Sequence, residues 1–389
     1  MSVLFPKGFL AAGFASGIKE SGDLDLSLVA VSGEKPAMAA STFTRNLAAA
    51  APVQVSRSHL EESAGRINAV VLSSGNANAA TGAKGITDAE LMCSLTASGL
   101  GIPPNQVLVC STGLIGIPMP TEKLKLGIPK LVALLGSSAV NGLSAAKAIL
   151  TTDTKEKLVA FQGSNFRIGG MAKGAAMLAP NMATMLAVLT TDASVTQDVL
   201  KASLTDAVES SFNRLVIDGC TSTNDTVICL SSGEAGEVDR EEFRSVLNNA
   251  CMSLARQMAM DAEGATKFVT VKVVGAASAD DADRAARKVA GSQLVQCSFY
   301  GADPYWGRLA SEIGSSGAEF DLDQLEIRYG DYPVARGGVS VEYDEGALKA
   351  YMSKQEIEVV CSLGLGNGNA EIITTDLTPG YIAENMRTS

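Results

Sequence analysis

The chain reads as an α/β protein. Short apolar runs of strand length recur along it, as at 69–72 and 106–110. Between them lie segments with apolar residues at helical spacing. The clearest is 239–260, where Phe243, Val246, Leu247, Ala250, Leu254 and Met258 share one face. A hydrophobic fraction of 46% over 389 residues supplies a sizeable core for one large or two ordinary domains. This pattern is compatible with sheets packed against helices without singling out one arrangement.

In chain order, residues 3–55 alternate Gly-rich turns with strand-like runs at 24–31 and 37–43. The stretch GFLAAGFASG after Lys7 resembles a secretory apolar region, but Gly8 and Gly13 break it and a strand is the better reading. The buried strand at 69–72 leads into SSGNANAATG, a loop of small and amide residues. A helix over 86–99 and a strand over 106–110 follow. The strand runs into Ser111-Thr112-Gly113-Leu114, whose exposed backbone N–H groups suit a developing oxyanion, although an ordinary glycine turn has the same composition. Residues 121–149 read as helical and Thr152 as a cap. Residues 157–168 form a hairpin around Gly163-Ser164-Asn165. Strands are expected at 185–190, 215–218 and 226–230, with a helix capped by Thr196 before the second. The helix over 239–260 stops at DAEG, with Gly264 as its C-cap. Val269, Val271 and Val273 alternate as in a half-buried strand. Asp280, Asp281 and Asp283 open another helix, where they suit its N-terminal dipole. The tail carries strands at 324–329, 338–343 and 355–361.

Several function classes are excluded. A net charge of −11 argues against a nucleic-acid partner, which needs Lys/Arg surfaces. No apolar run of 18 residues predicts a membrane span, and a cytoplasmic location is expected. Seven cysteines without a C-x-x-C pair read as reduced, buried thiols, so no Cys-based metal site is expected. His59 is the only histidine and lies in a polar run that reads as the start of a surface helix. Multi-His metal sites are therefore excluded, and a hydrolytic or acyl-transfer base other than histidine is implied. Gly364, Gly366 and Gly368 do not follow the dinucleotide-binding order, and no Walker A pattern is present.

The stretch 173–193, KGAAMLAPNMATMLAVLTTDA, carries the functional reading. Its first half is irregular, with Pro180 blocking helix. From Met185 it is a short apolar run, so Thr184 stands where an irregular segment enters a buried strand. On residue type alone Thr184 is a strand-initiating threonine. If the bond before it is cut, its new α-amine, titrating at about 7.7–8.0 when unperturbed, lies beside its own hydroxyl. Base and nucleophile then reside in one residue.

Lys173-Gly174, Met177, Ala179-Pro180, the MATML of 182–186 and Thr191-Asp192-Ala193 together resemble the self-cleavage site of the ornithine acetyltransferases. This family of arginine biosynthesis is also called the glutamate N-acetyltransferases. PKGFLAAG, SSGNANAATG, CTSTNDT, DAEGATK, TTDL and YIAEN extend the resemblance over essentially the whole chain. Departures are Ala80 for Cys, Ala175 for Gly or Ser, Tyr305 for Asn, and a tail one residue shorter after Asn385.

The resemblance implies an α/β fold of mixed sheets packed against helices, forming one intertwined unit of two self-cleaved chains, 1–183 and 184–389. It implies cleavage between Ala183 and Thr184, and Thr184 as the nucleophile. Thr112 and Gly113 would stabilise the oxyanion. Thr151, Lys173, Thr184, Glu263, Asn385 and Ser389 would bind substrate. The implied reaction moves an acetyl group from N-acetyl-L-ornithine to L-glutamate through acetyl-Thr184. No cofactor and no metal are implied, and acetyl-CoA is left open as a second donor. The two chains are expected to associate as a heterotetramer. An N-terminal-nucleophile aminopeptidase or amidase is the alternative enzyme, and an uncut, folded chain would mark a non-catalytic assembly protein.

Overall fold

The structure, a computed structural model, describes residues 2–177 and 185–386. Ala183, Thr184 and Ser389 lie outside the described residues. The strands are β1 (Phe9–Phe14), β2 (Leu26–Val31), β3 (Ala37–Phe43), β4 (Arg66–Ile67), β5 (Ala69–Asn76), β6 (Val107–Leu114), β7 (Lys157–Gln162), β8 (Arg167–Lys173), β9 (Leu186–Ser194) and β10 (Thr226–Glu237). They continue with β11 (Phe268–Ala276), β12 (Glu326–Tyr329), β13 (Tyr332–Arg336), β14 (Val339–Ser340), β15 (Glu356–Ser362) and β16 (Gly368–Thr375). The helices are α1 (Ala51–Glu62), α2 (Gly82–Leu100), α3 (Thr121–Ala133), α4 (Ala139–Lys147), α5 (Gln197–Ser210) and α6 (Arg240–Met260), then α7 (Ala279–Ala290), α8 (Gln293–Tyr300), α9 (Gly307–Gly314), α10 (Glu345–Met352) and α11 (Pro379–Glu384).

Among the described residues the strands form three sheets, in the orders β1-β2-β5-β6, β4-β3-β10-β9-β8-β7 and β14-β13-β12-β15-β11-β16. The first two lie face to face. Alternate residues of a strand point to opposite faces. Leu28, Val71 and Val109 therefore pack outward against Met92 of α2 and Leu124 of α3. Their neighbours Val29, Leu72 and Leu108 pack inward against Val188 and Ile228 of the second sheet. The far face of that sheet, with Leu189 and Cys229, packs on Leu204 of α5 and Leu254 of α6. The result is a helix–sheet–sheet–helix stack. Strands apolar on both faces, as β5 and β9 are, follow from this double burial. The third sheet has its own core, where Val269, Val271 and Val273 pack with helices α7 to α10.

Two strand pairs place the functional region. β8 runs antiparallel to β9, with Lys173 opposite Leu186, and β10 runs parallel to β9, with Thr226 opposite Leu186. β8 thus ends and β9 begins at the same end of the second sheet.

Several expectations are corrected. The helix expected over 121–149 is two helices, α3 and α4, separated at 134–138. Residues 215–218 form no strand; Leu215 makes one isolated bridge to Ile373. The C-cap of α6 is Asp261, and Gly264 (φ +65°) turns the chain three residues later, against the backbone of Gly380 and Tyr381. Thr152 caps no helix, since 148–156 is irregular. His59 sits in the last turn of α1, not at a helix start, with Nδ1 2.8 Å from the Val107 carbonyl. Cys220 and Cys297 are exposed, while the other five thiols are buried. The strand expected over 338–343 is confined to β14 at 339–340, and the tail also holds β13, β16, α10 and α11, which the sequence does not reveal.

Candidate active site

Four candidate residues meet where the first and second sheets face each other. Lys173 is the last residue of β8, and its side chain is only 3% exposed. Its Nζ donates to Thr151 Oγ1 at 2.7 Å and to Thr112 Oγ1 at 3.4 Å. Thr112 and Gly113 lie inside β6, which continues past Cys110 to Leu114. β6 is the edge of the first sheet, so it has no neighbouring strand on its outer side. Gly113 adopts φ +127°, and a Cβ there would lie 2.4 Å from the carbonyl carbon of Gly75. Only glycine fits this bulged contact between β5 and β6.

An ammonium group has donors and no lone pair, so Thr112 meets Lys173 as an acceptor. Its own hydroxyl proton is left free to turn elsewhere. That is the arrangement needed for a hydroxyl that stabilises a developing negative charge.

Beneath Lys173 lies a charged cluster that the sequence reading missed. The Asp153 side chain is fully buried, 2.5 Å from Lys157 Nζ and 3.6 Å from Lys173 Nζ. It also accepts from the backbone N–H of Gly174 at 2.6 Å and of Thr151 at 3.1 Å. Lys157 pairs further with Asp261. Burial works against the Asp153 carboxylate, but the charges of Lys173 and Lys157 outweigh it and hold the group well below the usual carboxylate range. The Lys173 ammonium is pushed below its usual range by burial, with Asp153 opposing the shift. The cluster fixes Thr151 and Lys173 together and leaves one ammonium aimed at the two hydroxyls.

Glu263 and Asn385 form a second pair, with Asn385 Nδ2 donating to Glu263 Oε2 at 2.7 Å. The Glu263 backbone N–H donates to the Ala175 carbonyl at 2.9 Å, which ties this turn to the segment just after Lys173. The C-terminal helix α11 is thereby brought beside the exit of β8. The structure thus joins Thr112, Thr151 and Lys173 directly, and links Glu263 and Asn385 to them through Ala175.

A cleft of about 690 Å³ reaches this group at Gly113 and Thr151, and is also lined by Asn76, Lys19 and Lys123. Lys19 lies in a loop that Asp25 pins by accepting from Ser16, Ile18 and Lys19 N–H groups. Burial lowers the Lys19 pKa, against the opposing charge of Asp25. Among the described residues no cluster of His, Cys, Asp or Glu is arranged to hold a metal ion, and no helix is long and apolar enough to cross a membrane.

Comparison with known proteins converges on one family. The family model described as ArgJ matches residues 10–388. The arginine biosynthesis bifunctional protein ArgJ of Thermobifida fusca is 45% identical over 386 residues, covering 99% of both chains. Its counterpart from Chlorobaculum tepidum is 43% identical over 394 residues, covering 99% of this chain and 96% of that protein. Among solved structures, the ornithine acetyltransferase of Mycobacterium tuberculosis complexed with ornithine is 45% identical, with a TM-score of 0.44, over 46% of this chain and 94% of that one. With nearly every residue matched by the family model and by full-length relatives, this chain belongs to the ArgJ family.

Proposed function

We propose that this ArgJ-family acyltransferase moves an acetyl group from N-acetyl-L-ornithine to L-glutamate, after cutting itself between Ala183 and Thr184. The single observation that carries the reading is the position of Lys173. It bridges Thr112 and Thr151 at the strand end opposite Leu186, two residues past Thr184. The naming of relatives as arginine-biosynthesis proteins, and of a solved relative as an ornithine acetyltransferase holding ornithine, supports the substrate class.

The freed α-amine of Thr184 takes the proton of its own hydroxyl, and Oγ attacks the acetyl carbonyl. The oxyanion is met by the Thr112 hydroxyl and the Gly113 N–H. The tetrahedral centre collapses, ornithine leaves with the proton, and acetyl-Thr184 remains. The amine of glutamate then attacks this ester to give N-acetylglutamate and restore the hydroxyl. Thr151, Lys173, Glu263, Asn385 and Ser389 position the charged ends of the two amino acids. No cofactor takes part in this scheme, and acetyl-CoA is left open as a second donor to the same hydroxyl.

The cut divides the protein into chains 1–183 and 184–389, proposed to assemble as two copies of each. Sheet pairing supports their remaining together. In the second sheet β3 lies beside β10 and β8 beside β9, so strands from both segments interleave. The test is product analysis with N-acetylornithine, with and without glutamate. N-acetylglutamate formed one-for-one with ornithine is expected. Free acetate at the same rate without glutamate would replace the transferase reading by a hydrolase.

A further inference from the structure

Asn224 and Asp225 are consecutive, buried and outside the cleft lining. They begin the approach to β10 from the polar loop 219–225. Asn224 Nδ2 donates to the carbonyl of Ser111 at 2.9 Å and to that of Ala77 at 2.6 Å. Asp225 Oδ1 accepts from the backbone N–H of Met185 at 2.9 Å. One side chain therefore grips the residue just before Thr112. The next grips the residue just after Thr184. Asp225 is itself fixed, because its carbonyl accepts from Thr44 N–H at 2.9 Å and Thr226 N–H donates to the Met185 carbonyl at 3.2 Å.

Asp225 is also an anomaly of packing. It is fully buried, and its Oδ2 has no hydrogen-bond partner among the described residues. Burial lifts this carboxyl well above the usual carboxylate range, although the Met185 N–H, the nearby Ser222 hydroxyl and the Lys173 charge pull the other way. A buried carboxyl held against the amide of Met185, the residue after the proposed nucleophile, fits a site-building role.

We infer that Asp225 is a positioning residue for Thr184, and that Asn224 does the same for Thr112, so that this dipeptide sets the separation between nucleophile and oxyanion donor. The inference rests on the reading of Thr184 as nucleophile. Consecutive α-carbons are about 3.8 Å apart, so holding the Met185 amide holds residue 184 within one peptide unit. Neither side chain need touch substrate. Their effect should fall on rate, since a displacement of about 1 Å at a reacting centre can cost about 100-fold.

The test uses the full chain, with self-cleavage, melting temperature, kcat and both KM values measured for Asp225→Ala, Asp225→Asn and Asn224→Ala. Kinetics are read on the cleaved fraction. Asp225→Asn keeps an acceptor for the Met185 N–H and should retain native cleavage and a kcat within about 5-fold, without a lower melting temperature. Asp225→Ala should cleave at least about 10-fold more slowly and lose about 100-fold in kcat, with both KM values within about 2-fold. Native rates in a folded Asp225→Ala variant would overturn the inference. So would a folded Asp225→Asn variant as slow as the Ala variant, or a loss seen only in KM. Where Asp225→Ala does not fold, Asn224→Ala decides, with the same kcat loss expected and native kcat contradicting it. Thr184→Ala, run in parallel, separates the two levels. Transfer surviving in that variant removes the nucleophile reading itself, whereas transfer lost there beside native rates in Asp225→Ala removes only this inference.

Discussion

The ammonium of Lys173 donates to the hydroxyl of Thr112 across 3.4 Å, from a side chain almost wholly buried. The two residues are 61 apart in sequence and belong to facing sheets. Because the ammonium is a donor only, the contact fixes the Thr112 oxygen and leaves its proton free for a third group. The same ammonium holds Thr151 at 2.7 Å, so one charge orients two hydroxyls, of which that of Thr151 borders the cleft.

If Thr112 is the oxyanion donor proposed above, it should matter to rate more than to binding. Thr112→Ala should lower kcat about 100- to 1,000-fold, or about 2.7–4 kcal/mol, as loss of one oxyanion donor does elsewhere. KM should stay nearly unchanged. Thr112→Ser, which keeps the hydroxyl, should recover much of the rate. Steady-state kinetics on the cleaved fraction checks this, since the proposed cleavage would pass through an oxyanion of its own at the Ala183 carbonyl. A raised KM at native kcat would make Thr112 a simple substrate contact.

Asp153 should leave its mark on acid stability. Lys173 and Lys157 hold its folded pKa below the unfolded value of about 3.9. Between those two values the unfolded chain binds more protons, so stability rises with pH there. The contribution is complete above about pH 4 and is lost as pH falls toward the folded value. Asp153→Asn removes the partner of two buried ammonium groups and should cost about 3–5 kcal/mol at neutral pH. Melting curves from pH 7 to 3 should show a shallower acid slope for the variant. An unchanged slope would mean that Asp153 is not the group that titrates.

Glu263 is proposed to take the side-chain ammonium of ornithine, with Asn385 holding its carboxylate at 2.7 Å. Glu263→Gln keeps the size and removes the charge. It should raise KM for N-acetylornithine about 10-fold, equivalent to about 1.4 kcal/mol, and change KM for glutamate much less. Parallel titrations of the two substrates check this. An equal rise in both would place Glu263 on a group that the two substrates share.

Much of the stack was legible where periodicity is unambiguous. The hairpin of β7 and β8, the 21-residue α6 and the alternation in β11 follow directly from their apolar spacing. The run at 215–218 misleads because a short apolar segment looks alike whether it is a strand or an irregular plug. Here Leu215 and Ile217 fill the core beside α5 and α6, and Val216 fills that of the third sheet. Thr112, Gly113, Thr151 and Lys173 were legible only through family resemblance, since their meeting is a product of two facing sheets. Asp153 and Lys157 were missed for a different reason. Charges four residues apart read as a solvated pair, and nothing local marks that both are buried or that Lys157 meets a further partner, Asp261, 104 residues on. Asp225 lay unnoticed in a polar loop, because nothing local marks a carboxyl that reaches across to the Met185 amide.

The central claim is that Thr184 becomes an N-terminal nucleophile, and a denaturing gel with N-terminal sequencing of its bands tests it most directly. Active native protein should give two bands of similar size, one of them beginning Thr-Met-Leu-Ala, and Thr184→Ala should give one uncut, inactive chain. A single full-length band in fully active protein, or native transfer by the Thr184→Ala variant, would contradict it.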